Sequence, residues 1–351
     1  MNTNIFSVLT ALLASSAIVA DALPSSSATS GTTAPVYKAE AYLTSANSNF
    51  GELIEGAAVD KDGNFYAVHY NSAKAAAGKA YTEQSLFYDD TANTDTWFNA
   101  IRFNINSQGA QEAYLGDTGN HRVVRVQNLG NSYNSIHAET FCQDPAMLQP
   151  NDIAIASSTG RLFLSGMNYT TDTVIGDGDL WTCDSQGTAQ KLGEFYRTNG
   201  IELSPDEKTL YLSSAANKDG AVVSNVIYAF DVDSDKGTIS NKRTFVDFAK
   251  LDNTASTDID GMRTDTAGNL YVTRNGLGKV VKLSPSGELL ACIETASTTS
   301  VTNLEFAGPD GKDLYIVGVC TDDATKGCID KYSSDTVGNA FNKLTTASSS
   351  S

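Results

Sequence analysis

Beyond about residue 22 this chain has no apolar run approaching the ~20 residues that a membrane-spanning helix needs. Basic residues are also scarce, with 24 Lys and Arg against 41 Asp and Glu and a formal net charge of −17. So acidic a surface repels phosphate backbones and anionic bilayers, so neither nucleic acid nor membrane is an expected partner. Helical periodicity is missing throughout, as are the G-x-S-x-G, H-E-x-x-H and G-x-G-x-x-G patterns. Their absence removes the nucleophile-elbow hydrolases, the helical zinc proteases and the dinucleotide-binding folds from consideration.

The one apolar segment is the leader. Residues 5–20 read IFSVLTALLASSAIVA and end at Ala20-Asp21-Ala22, so residues 1–22 are expected to be a secretory signal peptide that is removed. The Ser/Thr-rich segment 23–35 follows, with little to bury, and reads as a flexible linker; a flexible tail is expected over 346–351. Between them, 36–345 has the uniform texture of one domain, expected to be secreted, soluble and monomeric. Asn168-Tyr169-Thr170 is a glycosylation acceptor. Five cysteines (142, 183, 292, 320 and 328) suggest disulfides with one left over, and match no zinc-site spacing. Cys320 and Cys328 lie at the two ends of a short loop and form the expected pair; the pairing of the other three is open.

A unit recurs six times: a turn, then an aromatic-centred strand, marked by Tyr66, Tyr114, Phe163, Tyr211, Tyr271 and Tyr315. The successive spacings are 48, 49, 48, 60 and 44 residues, and a second short strand follows most markers, as in HRVVRV and KVVKLS. This predicts an all-β, six-bladed β-propeller with four antiparallel strands per blade, because closure into a ring removes exposed sheet edges. Val36 to Leu43 is expected to complete the blade that the C-terminus leaves unfinished.

Ahead of each marker lies a polar residue at a nearly fixed offset: Glu55 at 11, Asn151 at 12, Asn199 at 12, Asp260 at 11 and Asn303 at 12, with Asn99 at 15 in the second repeat. Each begins an apolar strand of the kind that lines a propeller channel. Glu, Asn, Asn and Asp converging there offer only hard oxygen donors, which suits Ca²⁺ and suits zinc or copper poorly. In isolation Asn199-Gly200 and Asp260-Gly261 are ordinary turn dipeptides; their shared register points instead to a site.

The phrases Pro150-Asn151-Asp152-Ile153, Asn199-Gly200-Ile201, Asp260-Gly261-Met262 with Gly268-Asn269-Leu270-Tyr271-Val272, and Thr302-Asn303-Leu304 resemble the gluconolactonase/regucalcin (senescence marker protein) family, from about Glu52 to Val317. The resemblance implies that Glu55, Asn199 and Asp260 hold a metal. It also implies that Asn151 lies at the metal or contacts substrate, and that Asp260 is a general base or nucleophile. Asn99 and Asn303 join Asn151 as candidate substrate contacts. Gln149 stands where animal members carry a substrate-contacting arginine. The related paraoxonases use a histidine pair, which makes His69 a candidate, whereas His121 in Gly119-Asn120-His121-Arg122-Val123 resembles a structural turn of NHL-repeat propellers.

The function expected from this ring is calcium-dependent hydrolysis of a lactone or related ester, with the metal polarising the carbonyl. The alternatives are a non-catalytic propeller that keeps calcium for rigidity while binding a protein or glycan, and a phosphotriester hydrolase.

Overall fold

A computed structural model describes residues 34–349 apart from 70–73, 80–82, 91–94 and 130–135. The expected leader and nearly all of the expected linker therefore lie outside the described residues, as does the side chain of His69. Two short strands come first, β1 (Val36–Lys38) and β2 (Glu40–Leu43). They are followed by β3 (Ile54–Val59), β4 (Phe65–His69), β5 (Lys74–Lys79) and β6 (Glu83–Asp89). Next are β7 (Phe98–Ile105), β8 (Gln111–Asp117), β9 (Arg122–Gln127) and β10 (His137–Gln143), then β11 (Gln149–Ala156), β12 (Arg161–Met167), β13 (Gly178–Cys183) and β14 (Ala189–Phe195). The chain continues with β15 (Arg197–Leu203), β16 (Thr209–Lys218), β17 (Ala221–Asp233) and β18 (Thr238–Asp247), and a one-turn helix α1 (Phe248–Leu251). It ends with β19 (Asp258–Thr264), β20 (Leu270–Asn275), β21 (Lys279–Leu283), β22 (Leu289–Glu294), β23 (Thr298–Ala307), β24 (Asp313–Cys320), β25 (Gly327–Ser333) and helix α2 (Asn339–Ser349).

These strands form an all-β propeller. Consecutive strands pair antiparallel into meanders whose first members, β3, β7, β11, β15, β19 and β23, pack each on the next, with β23 returning to β3. The marker aromatics all sit on the second strand of a sheet and are at least half buried, filling the space between sheets. The turn before that strand has its own chemistry: Asp60 Oδ1 accepts from the backbone N–H of Asp62 and Asn64, and Asp265 Oδ1 does the same for Ala267 and Asn269. Such Asx turns explain why the repeat opens on Asp and Gly-Asn.

The expectation of four strands in every blade is met by five sheets; the sheet of β19 to β22 departs from it, carrying β1 as a fifth, parallel edge strand. Ring closure accordingly differs from the expected single patch over Val36 to Leu43. Only β2 completes the C-terminal sheet, against β25, while β1 crosses to the neighbouring sheet against β22. The N-terminal segment thus ties two sheets together.

Helix was not expected anywhere, yet α2 runs through the expected tail boundary. It packs on β7, β19 and β23, buries Leu344, and pairs Lys343 with Glu207. Asn339 Nδ2 donates to Thr264 Oγ1 at 3.2 Å, at the closing residue of β19, so α2 covers the end of the inner strands farthest from Asp260. Its short NAFNKLTTASS pattern is legible as amphipathic only once this opening exists to be covered.

Of the cysteines, Cys320 and Cys328 are joined as expected, across one hairpin. Cys142 of β10 is joined to Cys183 of β13, a staple between adjacent sheets, and leaves Cys292 as the half-buried free thiol. No helix among the described residues is long and apolar enough to cross a membrane.

Candidate functional site in the central channel

Each innermost strand contributes one of the six expected residues: Glu55 on β3, Asn99 on β7, Asn151 on β11, Asn199 on β15, Asp260 on β19 and Asn303 on β23. The register of each strand with its neighbour is broken at that residue. The break falls between Glu55 and Ala57, Phe98 and Ala100, Pro150 and Asp152, Thr198 and Ile201, Ile259 and Met262, and Val301 and Asn303. A β-bulge leaves one residue unpaired and turns the strand. Asn99, Asn151, Asn199 and Asp260 lie within the unpaired stretch, and Glu55 and Asn303 border it. The Asn-Gly and Asp-Gly pairs are therefore bulges within inner strands, which settles the turn alternative.

Their glycines are required by close approach. A Cβ on Gly200 would lie 2.2 Å from the carbonyl oxygen of Asp260, and one on Gly56, whose φ is +39°, would lie 2.7 Å from that of Asn99. A bulge also frees backbone N–H groups, which must be satisfied when buried. The N–H of Asp152, Asn199 and Asp260 donates to Ser165 Oγ, Ser213 Oγ and Thr273 Oγ1 respectively, at 3.1 to 3.2 Å. Each hydroxyl lies two residues after a marker aromatic (Phe163, Tyr211, Tyr271), a periodic feature that sequence reasoning passed over.

The acids in this ring are electrostatically frustrated. Burial, then repulsion from Asp260 and Asp152, holds the Glu55 carboxyl well above its ordinary range, and its Oε2 is buried without a hydrogen-bond partner. Burial pushes Asp260 up to about 7, against the amides of Asn275 and Asn199, which favour its charged form; Asn275 Nδ2 donates to Asp260 Oδ2 at 3.0 Å. An orphaned carboxylate oxygen beside a second raised carboxylate, in a ring whose other members are amides, is a set that a hard cation fits.

The amides divide by what they have left to offer. Asn99 Nδ2 donates to the carbonyl of Asn151 at 3.0 Å, leaving its Oδ1. Asn303 Oδ1 accepts from Arg263 Nη2 at 2.9 Å and from Leu304 N at 3.0 Å, leaving its amide N–H groups, which suit a substrate oxygen and not a metal.

Below the ring lies a charged floor that sequence reasoning missed. Arg102 Nη2 pairs with Asp152 Oδ1, Arg263 Nε donates to Glu305 Oε2 at 2.9 Å, and both guanidiniums reach the carbonyl of Ala57. Glu202 joins this group, pushed up to about 7 by burial. Arg102, Glu202 and Arg263 each follow the ring residue of their strand by three positions and Glu305 follows Asn303 by two, and that spacing was the available signal. Asp152 is thus paired with two arginines, Arg102 and, at 3.6 Å, Arg263.

The remaining expected positions lie elsewhere. His121 has φ 54° in the β8–β9 turn with its ring on the Met147 carbonyl at 2.9 Å, as its structural reading requires. Trp181 is buried in the packing, whereas Trp97 is 39% exposed. Asn168 is exposed just after β12, and Gln149 opens β11.

The chain is 28% identical over 193 residues to pentonolactonase XacC of Haloferax volcanii, covering 54% of this chain and 60% of that protein. It is 30% identical over 139 residues to lactonohydrolase oryL of Aspergillus oryzae, covering 34% of this chain and 29% of that one. The matched segments therefore span less than two thirds of these relatives. In fold, the chain is similar to a calcium-binding protein, regucalcin, from Agrobacterium tumefaciens, with TM-score 0.68, 17% identity, and coverage of 87% of this chain and 97% of that one. Residues 102–319 match the SMP-30/Gluconolactonase/LRE-like region, and with most of the inner strands and bulges falling inside that span, the chain belongs to this family.

Proposed function

We propose that this protein is a secreted, calcium-dependent hydrolase of lactones, acting at the bulge ring of a six-bladed propeller. The observation that carries this reading is the oxygen-only ring in which Glu55 Oε2 is buried without a partner beside the raised carboxyl of Asp260. We count the five-stranded sheet as the sixth blade, because its inner strand β19 takes its place in the ring between β15 and β23. Two disulfides, the leader sequence and the Asn168 acceptor support secretion. The names of the relatives above support a lactone substrate.

Glu55, Asn151, Asn199 and Asp260 would hold the ion. Calcium, when bound, supplies positive charge that polarises the carbonyl and favours the oxyanion. Asp260 accepts a proton from the attacking water, held in orientation by Asn275, and returns it to the ring oxygen as the acyl C–O bond breaks, releasing a hydroxy acid. Asn303, with its Oδ1 occupied by Arg263, turns its N–H groups to substrate. The floor of paired arginines and acids, with α2 beyond it, closes the channel below, so substrate enters and product leaves by one mouth.

The test is hydrolysis of a panel of γ- and δ-lactones and one phosphotriester by purified protein, chelator-treated and then resupplied with calcium, followed by pH-stat. Calcium-dependent lactone cleavage that is lost in Asp260→Asn is expected. Cleavage of the phosphotriester alone, or of nothing, would remove the lactonase reading.

A further inference from the structure

Arg197 opens β15 and is 1% exposed. Its Nη2 donates to Asp258 Oδ2 at 2.7 Å and to Asn217 Oδ1 at 3.3 Å, but its Nε and Nη1 are buried with no hydrogen-bond partner among the described residues. The arginines of the channel floor differ, because their donors go to carboxylates, carbonyls and an amide. Arg274 shares the orphaned Nε and Nη1, but its guanidinium lies 3.5 Å from the buried Phe248 ring centroid and its Nη2 donates to Thr254, with no exposed aromatic beside it.

Arg197 sits against an acid and an aromatic ring. Asp258 and Asp260 are the acids acting on it, and its guanidinium carbon lies 4.8 Å from the centroid of the Tyr169 ring. Tyr169 is 61% exposed, and Asp258, which holds the guanidinium, lies on β19 two residues before Asp260, so the pair stands beside the candidate metal ring. Buried guanidinium donors without acceptors are costly unless a ligand or water supplies them, and an exposed aromatic face beside them suits the C–H face of an oxygenated ring.

We infer that Arg197, covered by Tyr169, is the substrate-positioning group of this channel and takes a hydroxyl or carboxylate oxygen of the substrate on Nε and Nη1. The nature of the substrate, an oxygen-substituted lactone, rests on the proposed lactonase reading; the subsite itself does not.

The deciding variant is Arg197→Lys, which keeps a charge for Asp258 but removes both orphaned donors. In glucono-δ-lactone hydrolysis, kcat/KM is expected to fall roughly 10- to 100-fold, mostly through KM, the range for a hydrogen bond to a charged group. With unsubstituted δ-valerolactone, and in calorimetric calcium affinity, changes should stay within about threefold, which reports an intact ring. Equal losses on both lactones, or none on either, overturn the inference while leaving the lactonase reading in place. If the parent protein cleaves no lactone, calorimetric titration of gluconate into calcium-loaded protein decides: binding weakened by Arg197→Lys supports the subsite, and binding that is unchanged or absent overturns it.

Discussion

The frustrated carboxylates make an unusual prediction about stability. In the metal-free protein Asp260 has its pKa raised from 3.8 to about 7. A buried acid raised in the folded state contributes no penalty below its unfolded pKa and a growing one above it. The full penalty is reached above about pH 7 and, at 1.36 kcal/mol per unit, is about 4 kcal/mol. Between pH 8 and pH 5 the metal-free protein should therefore regain about 3 kcal/mol from this group, the reverse of ordinary acid destabilisation. Asp260→Asn removes the charge while keeping acceptor and shape, so in chelator at pH 8 the variant should melt several degrees above the parent, at about 2 °C per kcal/mol for a chain of this size. Saturating calcium should reverse the order, since it stabilises only the protein that binds it. Thermal unfolding followed by circular dichroism, with chelator or calcium at pH 5 and pH 8, gives all eight values. A metal-free Asp260→Asn protein that melts below the parent at pH 8 would refute the reasoning, because it would show the carboxylate to be satisfied without a cation.

Further expectations test other parts of the fold. Gly200→Ala, whose Cβ would lie 2.2 Å from the Asp260 carbonyl, should cost about 1–3 kcal/mol or more and weaken calcium binding by over tenfold; calorimetry showing parental affinity would mean the inner strands can part. The Cys142–Cys183 bridge spans 41 residues and the Cys320–Cys328 bridge 8, so chain entropy assigns them about 4 and 2.5 kcal/mol. Cys142→Ser should lower the urea midpoint more than Cys320→Ser, and the opposite order would show that the hairpin bridge matters more than the staple between sheets. Truncation after Gly338 removes α2 with Leu344 and the Lys343–Glu207 pair, and should lower the melting temperature by several degrees; unchanged melting would show that α2 adds nothing to the ring.

Much of this was legible because repetition amplifies weak local signals. One Asn-Gly pair is ambiguous, but polar residues at offsets of 11 or 12 from five of six recurring aromatics are not, since a closed ring must bring equivalent positions to its axis. The cases that failed were those in which the repeat breaks. β1 leaves the blade pattern to pair parallel with β22, and a three-residue strand carries no sign of which edge it will meet. The helix α2 is too short for its periodicity to stand out, and its partners come from three separate inner strands.

By itself, then, the sequence determined the repeat, the all-β class, the polar residue that each inner strand contributes to the ring (expected to begin the strand, and found within it) and the hairpin disulfide, because each depends on neighbours a few residues away or on a fixed period. Only the tertiary structure decided that those residues sit at bulges, that Cys142 meets Cys183, that Arg102 and Arg263 floor the channel against Asp152, Glu202 and Glu305, and that Arg197 keeps two donors unspent. Each of these depends on what faces a side chain across the axis or between sheets. That is set by closure of the ring, and no window of the chain contains it.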